Sequence, residues 1–187
     1  GQAYLSIASG DMTVFCENGD LSEIKEFISL ISPRSIFGSL EVLEKLGFSD
    51  IHSVEVLSRV ADISGKPSGD SLSSKEIYDI LNVKGFSLPE YPYFAVDFCR
   101  RLNRGLASCF AIKNKCAAVS FHTGDYAILN GIVSREKGFG TVALGAILQK
   151  NYGRELIVCC EEKLIGFYEK NGFQKRYKAG YWCRQQA

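Results

Sequence analysis

The chain has 187 residues, 46% of them hydrophobic and 23% charged, with a formal net charge of +1. That composition fits one ordinary domain, or two small lobes sharing a core, rather than a disordered chain. The even charge balance offers neither a basic field for nucleic acid nor a like-charge tail. The longest apolar runs are too short to span a bilayer. The opening GQAYLSIASGDM has neither the basic start nor the apolar run of a secretory signal. Seven cysteines stand at 16, 99, 109, 116, 159, 160 and 183, with no C-x-x-C and only two histidines, so no metal site is expected. An odd count without a signal predicts reduced thiols in the cytoplasm, most of them acting as small buried hydrophobes.

In chain order, AYLSIA (3–8) and MTVFC (12–16) alternate around Ser9-Gly10-Asp11, which predicts a hairpin. DLSEIKEFISLIS (20–32) predicts a helix capped by Asp20, with Glu23 completing a capping box and Ile24, Phe27, Ile28 and Ile31 forming the buried stripe. Pro33 stops it. A strand SIFGS (35–39), a helix LEVLEKLGF (40–48) and a strand SVEVLSRVAD (53–62) follow. ISGKPSGDSLSS (63–74) reads as a linker. SLSSKEIYDIL (71–81) starts a helix with a second capping box, Ser73 and Glu76, and PEYPYFAVDFCRRLNRG (89–105) predicts a short helix ending at Gly105. Three strands, 106–113, 116–123 and 126–134, are separated by two-residue breaks that make tight antiparallel turns. An apolar helix, the strand ELIVCC (155–160), the helix EKLIGFYEKNGF (162–173) and a final strand in YWCR (181–184) complete the chain. The expected fold is α/β of the α+β type, a mixed and mainly antiparallel sheet flanked by helices.

Two regions are expected, an α/β lobe over 1–65 and a second domain over 73–187. EKLGF (44–48) and EKNGF (169–173) echo each other, and Arg59 and Arg184 each follow eleven residues after the closing phenylalanine. A shared helix end, Gly plus a hydrophobic contact, explains this as well as a degenerate duplication does.

SREKGFGTVALGAIL (134–148) carries the most chemistry. The first turn of a helix has unpaired N–H groups and a partial positive charge, which favour an anion. Gly138 and Gly140 remove Cβ atoms from its approach, Arg135 and Lys137 add positive charge, and Thr141 adds a hydroxyl. Behind the turn, Phe139, Val142, Ala143, Ala146 and Ile147 form one apolar stripe, and Gly145 suggests close packing against the sheet. A plain tight turn accounts for the two glycines equally well. The Walker and dinucleotide fingerprints both fit poorly, since the stretch ends G-F-G-T and lacks three spaced glycines.

GIVSREKGFGTVALGAIL (131–148) resembles the acyl-CoA-binding motif of the GNAT N-acetyltransferase superfamily, R-x-x-G-x-G, matched at Arg135, Gly138 and Gly140. GFYEKNGF (166–173) resembles the second signature of that family, and the likeness covers about residues 73 to 185. The resemblance implies a GNAT-like fold with an opening between strands 126–133 and 155–160. It implies pantetheine paired near Ile132 and Val133, and a pyrophosphate on the turn from Gly138 through Phe139 and Gly140 to Thr141, beside Arg135 and Lys137. It also implies a bulge, placed at Asn130-Gly131, whose amide polarises the thioester carbonyl, and Tyr168 as the acid for the departing thiolate. The first lobe lacks R-x-x-G-x-G and is not expected to bind the same cofactor. His122 titrates near neutrality and is a candidate base, though an exposed histidine near a turn explains it as readily. The strand 126–133 lacks the glutamate many relatives keep, and Glu161 stands where relatives commonly carry asparagine. The implied function is cytoplasmic acetyl transfer from acetyl-CoA to a small amine or a peptide N-terminus, by a monomer or homodimer with no nucleic-acid or membrane partner. The other reading is a non-catalytic acyl-CoA-binding module.

Overall fold

Alternating apolar residues build the first hairpin of the computed structural model, which describes residues 2–8, 10–17, 19–84 and 88–184, without the side chains of Gln2 and Ala8. Strand β1 (Gln2–Ala8) pairs antiparallel with β2 (Asp11–Glu17), and Ala8 stands opposite Asp11. Gly10 takes φ 86° in the turn, while Ser9 of the predicted turn lies outside the described residues. The chain divides into two compact units, one of Gly1–Leu57, Cys159–Lys170 and Gln174–Ala187, the other of Ser58–Val158 and Asn171–Phe173.

In the first unit, α1 (Leu21–Ile31) is capped by Asp20, whose carboxylate accepts from the Ser22 amide at 2.8 Å and the Ser22 hydroxyl at 2.5 Å. The cap closes on Ser22 instead of through the expected box with Glu23. Ser32, left-handed at φ 55°, ends the helix just before Pro33. Strand β3 (Ser35–Ser39) runs parallel to β2, and α2 (Leu40–Lys45), capped by Ser39, leads towards β4 (His52–Val60). The last strand, β9 (Gln174–Cys183), pairs antiparallel with β3, from Ser35 opposite Cys183 to Ser39 opposite Ala179. It is longer than the expected YWCR strand. Met12, Val14 and Ile36 pack one sheet face against Ile24 and Ile28 of α1 and Leu43 of α2. Phe27 and Ile31 of the predicted stripe stay exposed. A 3-10 turn (Glu162–Leu164) and α6 (Ile165–Lys170) also belong to this unit.

In the second unit, α3 (Ser74–Leu81) starts at the predicted capping box, with both Ser73–Glu76 bonds made. Helix α4 (Tyr91–Asn103) takes its start from a proline in its first turn and runs 13 residues, longer than expected. A meander follows, β5 (Ala107–Ile112), β6 (Cys116–Thr123) and β7 (Tyr126–Ser134), all antiparallel. Positive φ at Asn114 and Gly124 closes its two turns. Helix α5 (Phe139–Lys150) then leads to β8 (Glu155–Cys160), parallel to β7. Helices α3 and α4 cover one face of the meander, where Ile77, Phe94 and Phe98 meet Ala117 and Val119. Helix α5 covers the other face, where Asn151 at its end donates to the Ser120 hydroxyl at 2.9 Å.

The segment read as a linker has no helix or strand between 61 and 73, yet it is bound to β5. The Asp70 amide donates to the Ala111 carbonyl at 2.9 Å, and the Asp70 carboxylate accepts from the Lys113 amide at 2.7 Å. Among the described residues no helix is long and apolar enough to cross a membrane.

Gly145 departs from expectation. A Cβ built there meets nothing within 4 Å, so close packing does not explain the glycine. Gly145→Ala therefore removes backbone freedom from the unfolded chain without a clash. It is expected to stabilise the protein by about 1 kcal/mol and to raise Tm by about 2–4 °C in a thermal melt. A lower Tm would show that something does occupy the space beside the helix.

Candidate functional site

The candidate site is built from β7 upward. Val119 of β6 stands opposite Gly131 and Ser120 opposite Leu129, so Asn130 is an extra residue, a bulge in the position expected from Asn130-Gly131. On the other side, the parallel ladder with β8 covers three pairs, from Tyr126 opposite Glu155 to Ile128 opposite Ile157. Beyond Ile128 the strand continues to Ser134 without a ladder on that side. Arg135 donates its amide to the Lys115 carbonyl at 2.8 Å, so its backbone points at the β6 side. Alternation then turns the backbone of Val133 and Gly131 towards β6, and that of Ile132 and Ser134 towards the open edge. The two residues expected to pair with a ligand thus differ: Ile132 presents its amide and carbonyl outward, whereas Val133 is engaged and its side chain packs on the core under α3 and α4.

Past the end of β7, Gly138 is the N-cap of α5 with φ 90° and ψ −29°, and no side chain caps the helix. A Cβ on Gly138 would meet nothing within 4 Å, so the approach to the helix start is open, and its left-handed backbone explains the glycine. The Phe139 amide donates to the Glu136 carbonyl at 3.3 Å, and the Val142 amide to the Gly138 carbonyl at 3.3 Å. Between them, Gly140 and Thr141 sit in the first turn, where amides lack a partner four residues back. No acidic side chain occupies that turn. Such a start is suited to an anion.

Four side chains steady the turn. The Arg135 guanidinium donates to the Asp79 carbonyl of α3 at 2.8 Å. The Lys115 ammonium lies 4.7 Å from the centre of the Phe139 ring and 3.6 Å from the Glu136 carboxylate. Arg135 and Phe139 therefore brace the turn as it stands, while Lys137 and Thr141 are exposed. Lys115 and Asp79 were not singled out in the sequence, because neither lies near residues 134–141 along the chain. The only available signal was the hairpin geometry that lays Lys115 beside Ser134 and Arg135.

His122 stands on β6 two residues from Ser120, one of the two residues that flank the bulge. It shares the α5 face of β6 with Ser120, opposite Ala127, and its amide donates to the Leu106 carbonyl at 3.0 Å. Partial burial, then the Arg154 charge, holds its pKa below the ordinary value, so the imidazole is neutral at neutral pH.

Within the first unit, Tyr168 is 3% exposed on α6. Burial, then the Cys160 thiol, pushes its hydroxyl well above the ordinary phenol value, so it keeps its proton at neutral pH. Burial likewise drives Cys160 up to about 11 and raises Cys159, leaving no thiolate for covalent chemistry. Glu161 pairs with Lys163 at 2.5 Å, which lowers its carboxyl pKa, and it makes no side-chain cap to the turn that follows.

No family model matches the chain, and no curated protein matches it by sequence. Solved structures do. A GCN5-related N-acetyltransferase from Sphaerobacter thermophilus aligns with 99% of this chain and 77% of its own, at TM-score 0.64 and 10% identity. A GNAT-family acetyltransferase from Colwellia psychrerythraea aligns over 97% and 81%, at 0.56 and 14%. A tandem GNAT protein from the clavulanic acid biosynthesis pathway aligns over 99% and 79%, at 0.55 and 12%. The likeness extends over the first lobe as well as the region carrying the two motifs. In its mixed sheet, its flanking helices and its element order, the chain has the GNAT N-acetyltransferase fold.

Proposed function

We propose that the protein is an acyltransferase that moves an acetyl group from acetyl-CoA to an amine by direct attack in a ternary complex. The observation that carries this reading is the juxtaposition in the second unit of an acid-free helix start at Gly138–Thr141 with the open edge and bulge of β7. The residues present fit the cosubstrate. The first-turn amides of α5 suit the diphosphate, and the outward amide and carbonyl of Ile132 suit the pantetheine amides. Acetyl-CoA supplies an activated thioester. The amide at Asn130-Gly131 is assigned the developing oxyanion, and Tyr168 the proton taken up by the departing thiolate. Lys137 adds charge at the mouth of the turn. His122, or water in its place, is the acceptor of the proton that the amine loses.

The first lobe is read as a degenerate copy of the same half-fold. It repeats hairpin, helix, parallel strand, helix and strand, and one structural neighbour is itself a tandem GNAT protein. The start of its first helix is already satisfied by Asp20, so it holds no diphosphate. The acceptor is a small amine or a peptide N-terminus, the protein acts in the reducing cytoplasm as a monomer or homodimer, and its seven thiols are free. The near-complete burial of Tyr168 favours one other reading, a module that binds acyl-CoA without turnover.

Gly140→Asp tests the diphosphate site. An acidic residue in the first turn of a helix is stabilising by about 0.3–1 kcal/mol, so the variant is expected to fold with Tm unchanged or slightly raised. Its acetyl-CoA affinity in calorimetry is expected to fall at least tenfold. Full affinity in the folded variant would place the anion elsewhere.

Tyr168→Phe separates enzyme from module. With acetyl-CoA and a panel of amines, thiol release by the wild type is expected, falling about 10²–10⁴-fold in the variant while acetyl-CoA binding holds. Tight acetyl-CoA binding by the wild type with no thiol release on the panel supports the module.

A further inference from the structure

In the first unit, β2 runs to Glu17 and β9 reaches back to Gln174, but β3 between them stops at Ser39. The chain leaves there because Ser39 caps α2, its hydroxyl accepting from the Val42 amide at 3.3 Å. A notch two strand spacings wide, about 9–10 Å, therefore opens between β2 and β9. It holds a cavity of about 260 Å³.

Register decides what lines it. Met12, Val14 and Ile36 face α1 and α2. By alternation Phe15, Glu17, Phe37 and Tyr177 lie on the opposite face, and no helix of this unit appears among the residues lining that cavity. Phe15 and Tyr177 are 56% and 55% exposed. Gly38 and Ser39 lie between them where β3 ends, and the Glu17 carboxylate is the one charged group in the lining. A neighbouring cavity shares Glu17, and its Lys45 is held by Glu41 at 2.5 Å.

Three aromatic rings and a carboxylate around a small cavity match one chemistry. Ring faces carry negative quadrupole and attract a diffuse organic cation, more so when it is partly desolvated. The carboxylate adds the complementary charge. We propose that this notch binds a small alkylammonium cation, at a site separate from the α5 turn and independent of the transfer reading. The size fits a trimethylammonium head with a short tail. The acidic Asp20 at the adjacent helix start, with a carboxyl held below its usual range by the Ser22 hydroxyl and amide, disfavours an anion there.

Calorimetry with choline, in the absence of acetyl-CoA, tests the site against 3,3-dimethyl-1-butanol, the uncharged isostere of the same shape. Saturable choline binding is expected, at least tenfold tighter than that of the isostere. Phe15→Leu and Glu17→Gln alter exposed side chains and are expected to keep Tm within a degree or so, while each weakens choline binding by about fivefold. Acetyl-CoA affinity is expected to be unchanged in both, so failure here stays distinct from failure at the α5 turn. Equal binding of choline and the isostere, no saturable binding of choline, or unchanged affinity in both variants overturns the proposal.

Discussion

The parallel pairing of β7 with β8 ends after three residues, and the candidate site depends on that ending. If the ladder ran on, the outward amide and carbonyl of Ile132 would be spent on a neighbouring strand. The bulge at Asn130 comes two residues after the last pair. One extra residue shifts the register against β6, so the strand bends and its twist increases. The strand then delivers the chain to Gly138, whose left-handed backbone costs a residue with a side chain about 1–2 kcal/mol. Edge, bulge and helix start are thus consecutive products of nine residues, Asn130 to Gly138.

For the anion proposed at the helix start, backbone and side chains compete as partners, and magnitude favours the backbone. The amides of the first turn are fixed before any ligand arrives. An exposed lysine such as Lys137 must give up about 1.5–2 kcal/mol of rotamer freedom, for an interaction that is worth about 0–1 kcal/mol in water. Arg135 is further committed to the Asp79 carbonyl. The basic residues that make the stretch conspicuous in the sequence are therefore secondary to the glycines that give access to the amides.

Much of this was legible before the structure. Strand alternation and turn residues placed β2, β3 and the β5–β7 meander nearly to the residue, and Ser73 with Glu76 marked the start of α3. Gly131 marked the bulge because a glycine inside a strand commonly does. What failed has physical reasons. Gly145 was read as a contact, but a missing side chain leaves the same sequence trace whether the space is filled or empty. The segment 63–74 was read as a linker from its composition, yet one aspartate bonded to the backbone of Ala111 in β5 and of Lys113 just past it ties it down, and composition does not report a partner some forty residues away. The same blindness to distance hid Lys115 and Asp79. For His122 the sequence showed a strand end, and the register adds its face of β6, the one that α5 covers.

The two lobes follow one order of elements and differ at the point where chemistry enters. After its hairpin, each runs into a helix whose first turn offers unpaired amides. In the second lobe that turn begins with a glycine and carries no acid. In the first it begins with Asp20, which consumes the amide of Ser22 and supplies a negative charge of its own. Each lobe also interrupts its sheet near the helix start, β8 leaving β7 in one and β3 stopping short in the other. An interruption presents backbone and ring edges that a complete sheet would bury, and the sign of the nearby charge then selects what those groups attract. The acid-free turn that begins at Gly138 suits an anion. Glu17 and the aromatic residues of β2, β3 and β9 favour a cation, so on the proposed readings the two interruptions attract ligands of opposite charge.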